Sequence, residues 1–488
     1  MALTSRVAFT RRDFVRLLVC RQLYFMVALI VIESLLAAAT TYLVIKAGRD
    51  VANDEFLAGD LLWIVAAQSL SYVVGAVSWV FAEQAGFGAY GRYMLRFSRE
   101  NRQQNKLLHE KSVRERVEPF LTSETFHIFF ELMYELEADL KLFFGLAFNA
   151  LVIGLEIDAG LPLAYALVFA LLLLLQWSLR KPVAAAYLDN QRMTNRMTSH
   201  SYTAWDNIFS GNAYNFRLWH GGFKMKLRDA LRTQIRAIVT REGLSTISGI
   251  IGLGIVFATM TFVASQDLSN TVLLAALAVT LPRQIEMTND VHLLASGWND
   301  LLAIWTRIGG AVDNMQLQPD SEFNSRIRFD RLYLRQNEKV IACGSVGQAM
   351  EKIRAQKTGC INVRGDNGSG KSTLLIALKS ELKNRAYYWP TADRLAFRFA
   401  GGVDADDETE EDQLKTEKKS GFSSGERQLQ SLREIVTHTD AGIYLLDEWD
   451  ANLDPSNRAA AAALINQLAS RARVVEISHR DSEWLGQG

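Results

Sequence analysis

Apolar residues crowd the first three hundred positions in runs longer than a globular core needs, then give way to short strand-like runs set between charged helices. "YFMVALIVIESLLAAATTYLVI" (24–45) and "LLWIVAAQSLSYVVGAVSWVF" (61–81) can each cross a hydrocarbon layer of roughly 30 Å as a helix. "LFFGLAFNALVIGL" (142–155) and "LPLAYALVFALLLLLQWSL" (161–179), joined by a tight acidic turn, read as a helical hairpin. "LSTISGIIGLGIVFATMTFVAS" (244–265) is a fifth span, and a sixth starts at Thr271 but is interrupted by Pro282, Arg283 and Glu286. The pattern therefore predicts six membrane helices, at about 22–46, 61–83, 140–157, 160–180, 244–265 and 270–295.

The segments between them, 84–138 and 181–243, keep a helical pattern, so the membrane helices are expected to run on beyond the bilayer. Both are rich in Arg and Lys, whereas the turns 156–160 and 266–270 contain neither, which places the long segments and both termini in the cytoplasm. The basic stretch with Arg6, Arg11, Arg12, Arg16 and Arg21 reads as a cytoplasmic anchor and not as a cleaved leader. Glu33, Arg283 and Glu286 fall at membrane depth, where an ionisable group needs a partner or a polar cavity. Pairing of Glu33 with a neighbouring helix, with Arg283 and Glu286 near the interface, and lining of a cavity are both open readings.

From about 325 onward strands and helices alternate. "CINV" (360–363), "YYW" (387–389), "GIYLL" (442–446) and "RVVEIS" (473–478) read as strands, with helices from about 371, after Glu426 and over 456–470. Such alternation predicts an α/β domain around a mainly parallel sheet, with its chemistry beyond the carboxyl ends of the strands. The 488 residues carry 53 basic and 53 acidic side chains, a balance that gives no sign of a nucleic-acid partner. Three cysteines without metal-type spacing suit a reducing compartment.

The first strand ends in "GDNGSGKST" (365–373). Gly365, Gly368 and Gly370 let the backbone of Asp366, Asn367 and Ser369 curl around phosphate oxygens, Lys371 reaches the terminal phosphates, and Ser372, followed by Thr373 at the helix start, can ligate Mg²⁺. At the end of "GIYLL", Asp447 can face the same Mg²⁺ and Glu448 can take a proton from an attacking water. The bland alternative is a solvated acidic turn. His479 follows the last strand at the same edge; a lone histidine is more often structural, but its place raises its interest. "FSSGERQ" (422–428) has the Ser423–Glu426 spacing of a capping box, whose helix N-terminus can also receive an anion.

These motifs resemble the nucleotide-binding domain of ABC transporters, and six spans with two long cytoplasmic segments are similar to the membrane half of ABC exporters. The resemblance covers nearly the whole chain. It implies a membrane all-α six-helix domain (1–318) followed by a shortened α/β P-loop NTPase domain, the ATP-binding cassette (319–488). It also implies that Gly365 to Thr373 bind ATP with Mg²⁺ at Ser372 and Asp447, that Glu448 is the catalytic glutamate, that "ANLD" (451–454) is the D-loop, and that His479 senses the γ-phosphate. Ser423 and Gly425 stand as the signature loop, which in the family closes on ATP held by a second subunit and so implies a homodimer.

The sequence departs from the family in several places. Ser424 replaces the usual glycine, Thr391 sits where a glutamine is expected, the stretch between phosphate loop and signature is short, "DADDETEEDQ" (404–413) reads as a solvated loop, and Tyr333 is the candidate to stack on adenine. Trp449 after Glu448 is similar to the cyclic-peptide and siderophore exporter branch. The expected activity is ATP-driven export of a small peptide or peptide-like secondary metabolite by a homodimer in the inner membrane of a bacterium. Lipid or glycolipid flipping, and an ATP-dependent membrane switch that moves no cargo, are the alternatives.

Overall fold

The computed structural model describes residues 8–55, 58–336, 339–390, 395–400, 423–451 and 453–478. The chain forms two compact units, one of Met1–Arg96 with Pro119–Met315 and one of Phe97–Glu118 with Gln316–Gly488.

The first unit is helical: α1 (Arg11–Arg16), α2 (Arg21–Ala52), α3 (Ala58–Asn101), α5 (Thr125–Glu156), α6 (Gly160–Ser201), α7 (Ala204–Phe209), α8 (Ala213–Gln266) and α9 (Thr271–Asp313); the last residues of α3 and α4 (Lys111–Pro119), up to Glu118, belong to the second unit. Among the described residues four stretches are long and apolar enough to cross a membrane: Arg21–Ala52, Ala58–Asn101, Lys111–Glu156 and Thr246–Gln266. The apolar run of α6 is shorter, Gly160–Leu175, and α9 carries Pro282 and charged residues in its first half. Helices α3, α6 and α8 continue for 44, 42 and 54 residues, well past their apolar stretches. The hairpin expected around 156–160 turns at Asp158, whose carboxylate accepts the Gly160 N–H at 2.7 Å.

Helix α2 packs on α5 and α9, and α6 packs on α8. Phe14 of α1 stacks on Phe129 of α5 at 4.4 Å, and the hydroxyl of Tyr93 donates to the Ala311 carbonyl at 3.1 Å. Polar contacts are made where apolar surroundings make an unpaired group expensive. Thr41 of α2 donates to Asn149 of α5 at 2.6 Å, and Lys141 of α5 lies 3.2 Å from Glu33 and 2.6 Å from Glu137. Glu33 thus pairs across helices, one of its two expected fates.

The second unit is built on a six-stranded sheet of β1 (Leu332–Gln336), β2 (Lys339–Ala342), β3 (Gly359–Gly365), β4 (Ala386–Trp389), β5 (Ile443–Asp447) and β6 (Arg473–Ile477), in the order β2-β1-β3-β6-β5-β4. The four strands from β3 to β4 run parallel, as expected; β1 and β2 form an antiparallel edge that the sequence pattern did not reveal. Side-chain alternation feeds two cores. Leu445 and Val475 join α10 (Val346–Arg354) and α11 (Lys371–Leu382) on one face. Tyr444, Leu446 and Val474 join α12 (Ser424–His438) and α13 (Pro455–Arg471) on the other. Residues 105–109, a 3₁₀ turn between α3 and α4, pack on α11 within this unit.

Candidate functional site

Strands β3 and β5 deliver their carboxyl ends to one edge with β6 lying between them. Beyond β3 the chain turns through Asp366–Gly370 into α11. Gly370 stands at the helix N-cap with φ +89°, and a β-carbon there would lie 2.7 Å from the Arg326 carbonyl oxygen. At Gly365 the same atom would come within 2.4 Å of the Arg331 carbonyl oxygen. Close passage of the 326–332 backbone therefore demands these two glycines, whatever the loop binds. Gly368 has open space around it and is required by its φ of +80° alone.

The loop is closed on itself. Lys371 Nζ donates to the carbonyls of Gly365 (2.7 Å) and Asp366 (3.1 Å), and the Ser369 N–H donates to the Asp366 carbonyl at 3.1 Å. Ser369 is buried, so its hydroxyl does not face solvent as a ligand group would. Asn367 lies in the same turn. The N–H groups of Lys371, Ser372 and Thr373 open α11 and have no intrahelical acceptor, and no side chain caps them. Three such donors with the positive end of the helix dipole form a cradle that fits phosphate oxygens.

Ser372 and Asp447 are brought together. The serine hydroxyl donates to Asp447 Oδ1 at 2.9 Å, and the Tyr388 hydroxyl donates to Oδ2 at 3.1 Å. Burial pushes the Asp447 carboxyl up to about 6, against the lowering effect of these two hydrogen bonds. Burial, then the neighbouring Asp447 carboxylate, raises the Tyr388 phenol. A hydroxyl and a buried carboxylate side by side are the hard oxygen donors that Mg²⁺ prefers, and a cation there would offset the cost of burying the charge.

Glu448 is part-exposed and adopts φ +47°, a left-handed conformation that costs a non-glycine residue about 1–2 kcal/mol. It begins a turn closed by the Ala451 N–H donating to the Glu448 carbonyl at 3.2 Å. Trp449 is buried beneath, its indole N–H donating to Glu476 Oε2 at 2.8 Å. Burial pushes the Glu476 carboxyl up to about 7. The third acid of the motif, Asp454, caps α13 by accepting the Asn457 N–H at 2.7 Å.

Ser423 and Glu426 form the expected capping box, with bonds of 3.3 Å and 2.8 Å. Gly425 is buried in the first turn of α12. One turn on, Gln428 donates to the Trp449 carbonyl at 2.8 Å, which ties this helix to the end of β5. His479, Thr391 and the acidic stretch 404–413 lie outside the described residues; β6 itself ends with Ile477 in register opposite Asp447. Tyr333, the adenine candidate, is exposed on β1.

Sequence reasoning missed Tyr388 and Glu476. Tyr388 is found only through the parallel pairing of β4 with β5, which sets Tyr388 against Leu445, two residues short of Asp447. No protein-family model matches the chain, and no curated protein matches it either.

Proposed function

We propose that this chain is an ATP-hydrolysing exporter of the ABC type, working as a homodimer in a bacterial inner membrane with its sheet-containing unit in the cytoplasm. The observation that carries the reading is the Ser372–Asp447 hydrogen bond, which brings the two nucleotide-directed motifs to one point. Membrane-capable helices in the same chain support coupling to transport, as does the packing of residues 105–109, which lie between two of them in sequence, on α11.

The chemistry follows from the residues. The first-turn N–H groups of α11 hold the triphosphate of the substrate ATP, and the Lys371 ammonium exchanges its two loop carbonyls for phosphate oxygens of higher charge. Ser372 and Asp447 would hold Mg²⁺, which supplies charge neutralisation when bound. Glu448 takes the proton of water as its oxygen bonds to the γ-phosphorus and the bond to ADP breaks. Ser423 and Gly425 of a second copy close over the nucleotide, and His479 contacts the γ-phosphate. Six spans per subunit, counting α6 and α9, alternate access for a small peptide-like cargo.

Proteoliposomes with the sheet-containing unit outward test this. ATP-dependent accumulation of a labelled short peptide, absent with Lys371→Ala, is the expected result. ATP-dependent movement of a labelled lipid between leaflets would replace export by flipping, and hydrolysis with neither movement would leave only a switch.

A further inference from the structure

Helix α9 puts charge where the apolar pattern breaks, and a cavity lies there. A space of about 260 Å³ opens between α2, α3 and α9, walled by Thr40, Thr41, Gln68, Thr280, Arg283 and Glu286 with three aliphatic side chains. By roughly 30 Å³ per water, that is room for about nine waters, the scale of an amino-acid-sized group.

The three walls lie within the apolar stretches. Thr40 lies six residues before the end of the span 22–46, Gln68 seven after the start of the span 61–83, and Arg283 thirteen after the start of the span 270–295. At 1.5 Å per residue these are about 9–20 Å from the span ends, inside a roughly 30 Å core. Arg283 is part-buried and Glu286 exposed at the cavity wall, and ionisable groups within a membrane span point to a functional site by default.

The charges are arranged as a pair. Arg283 Nη1 donates to Glu286 Oε2 at 2.6 Å, while Arg283 Nε is buried with no hydrogen-bond partner among the described residues. Pro282 beside it has no N–H to donate, so the Ala278 carbonyl loses its usual helical donor at this level. Around the pair stand three threonine hydroxyls, whose protons go to Leu36, to Asn149 and to Ala276 and which can still accept, and the Gln68 amide, which can donate and accept.

We propose that this cavity binds a compact zwitterion, its anionic group on the Arg283 guanidinium and its ammonium on the Glu286 carboxylate, with the polar wall taking the remaining hydrogen bonds. Two sources carry that chemistry: the free α-amino and α-carboxyl groups of an amino-acid-like solute, and the headgroup of phosphatidylethanolamine. The inference deepens the transport reading and rests on it for its biological role, but the binding can be measured without nucleotide.

The test uses the full chain in phosphatidylglycerol nanodiscs without ATP, with radiolabelled leucine as the probe. Saturable binding near one per chain is expected, and leucine methyl ester and N-acetyl-leucine, each of which lacks one charge, should compete for the site at least about tenfold (1.4 kcal/mol) more weakly than unlabelled leucine. Arg283→Gln and Glu286→Gln should each weaken leucine binding by a similar factor, and the blocked compounds test the idea on the unmutated chain. If leucine does not bind but phosphatidylethanolamine is retained over phosphatidylglycerol and Arg283→Gln abolishes the preference, the zwitterion is a lipid headgroup. Binding of neither, or equal binding of the blocked forms, overturns the proposal. Nucleotide binding measured beside it, with Lys371→Ala as control, reports separately on the ATPase reading.

Discussion

The Ser372 hydroxyl donates a 2.9 Å hydrogen bond to the Asp447 carboxylate across 75 positions of sequence. The bond joins the first turn of α11 to the end of β5, and it fixes where a divalent cation would sit. Because burial raises the Asp447 carboxyl to about 6, a proton competes with the cation below that pH. The apparent Mg²⁺ affinity in ATP hydrolysis should fall about tenfold per unit as pH drops below 6 and level off above it. Asp447→Asn should cut Mg²⁺-dependent turnover by about 100-fold and remove this pH dependence; Mg²⁺ titrations between pH 5 and 8 give the answer.

Tyr388 steadies the second carboxylate oxygen at 3.1 Å. Tyr388→Phe keeps the ring in the core and deletes one hydrogen bond, worth about 1 kcal/mol, or roughly fivefold. The expected effect is a weaker Mg²⁺ response of that order with nucleotide affinity in the absence of metal unchanged. Isothermal titration with ATP, with and without Mg²⁺, separates the two.

The Glu476 carboxyl is fully buried and pushed up to about 7 from an ordinary 4.5. Between those values the folded chain keeps a proton that the unfolded chain has released, so stability falls as pH rises through the window, by about 3 kcal/mol at most. Glu476→Gln still offers an oxygen to the Trp449 indole and carries no charge. Its thermal midpoint should therefore drop less than that of the parent chain between pH 5 and pH 8, a comparison made by unfolding both in the same detergent.

Ser423 caps α12 in a reciprocal box with Glu426. Ser423→Ala should destabilise the chain by about 1 kcal/mol, and Ser423→Asp, which preserves a cap acceptor, by much less. If ATP turnover falls far more in both variants than this loss of stability explains, the serine has a second role on nucleotide in a partner copy.

Four strands and three helices of the second unit were legible, most clearly where a punctuating residue ends a strand, as Gly365 ends β3 and Asp447 ends β5, or opens a helix, as Gly370 does before α11 and Asp454 before α13. The antiparallel strands β1 and β2 were not, since "LYLRQ" and "KVIA" are short and their alternation is indistinct. The segment Phe97–Glu118 reads as a plain continuation of membrane helices, and only long-range packing, such as the Arg326–Glu110 ion pair at 3.0 Å, reveals that it belongs with the sheet. The same limit hid the site's supports. Gln428, Trp449 and Glu476 are joined across α12, the turn after β5, and β6 by bonds that no local spacing encodes. The positive φ of Glu448 is likewise a tertiary result, since its sequence neighbours contain no turn glycine.

The most direct test is ATP turnover by the full chain in nanodiscs, compared with Glu448→Gln under saturating Mg²⁺-ATP. The account predicts that the parent chain hydrolyses ATP and that the variant still binds it while turnover drops by at least about 100-fold. Equal turnover in the two, or no ATP binding by the parent chain, would contradict it.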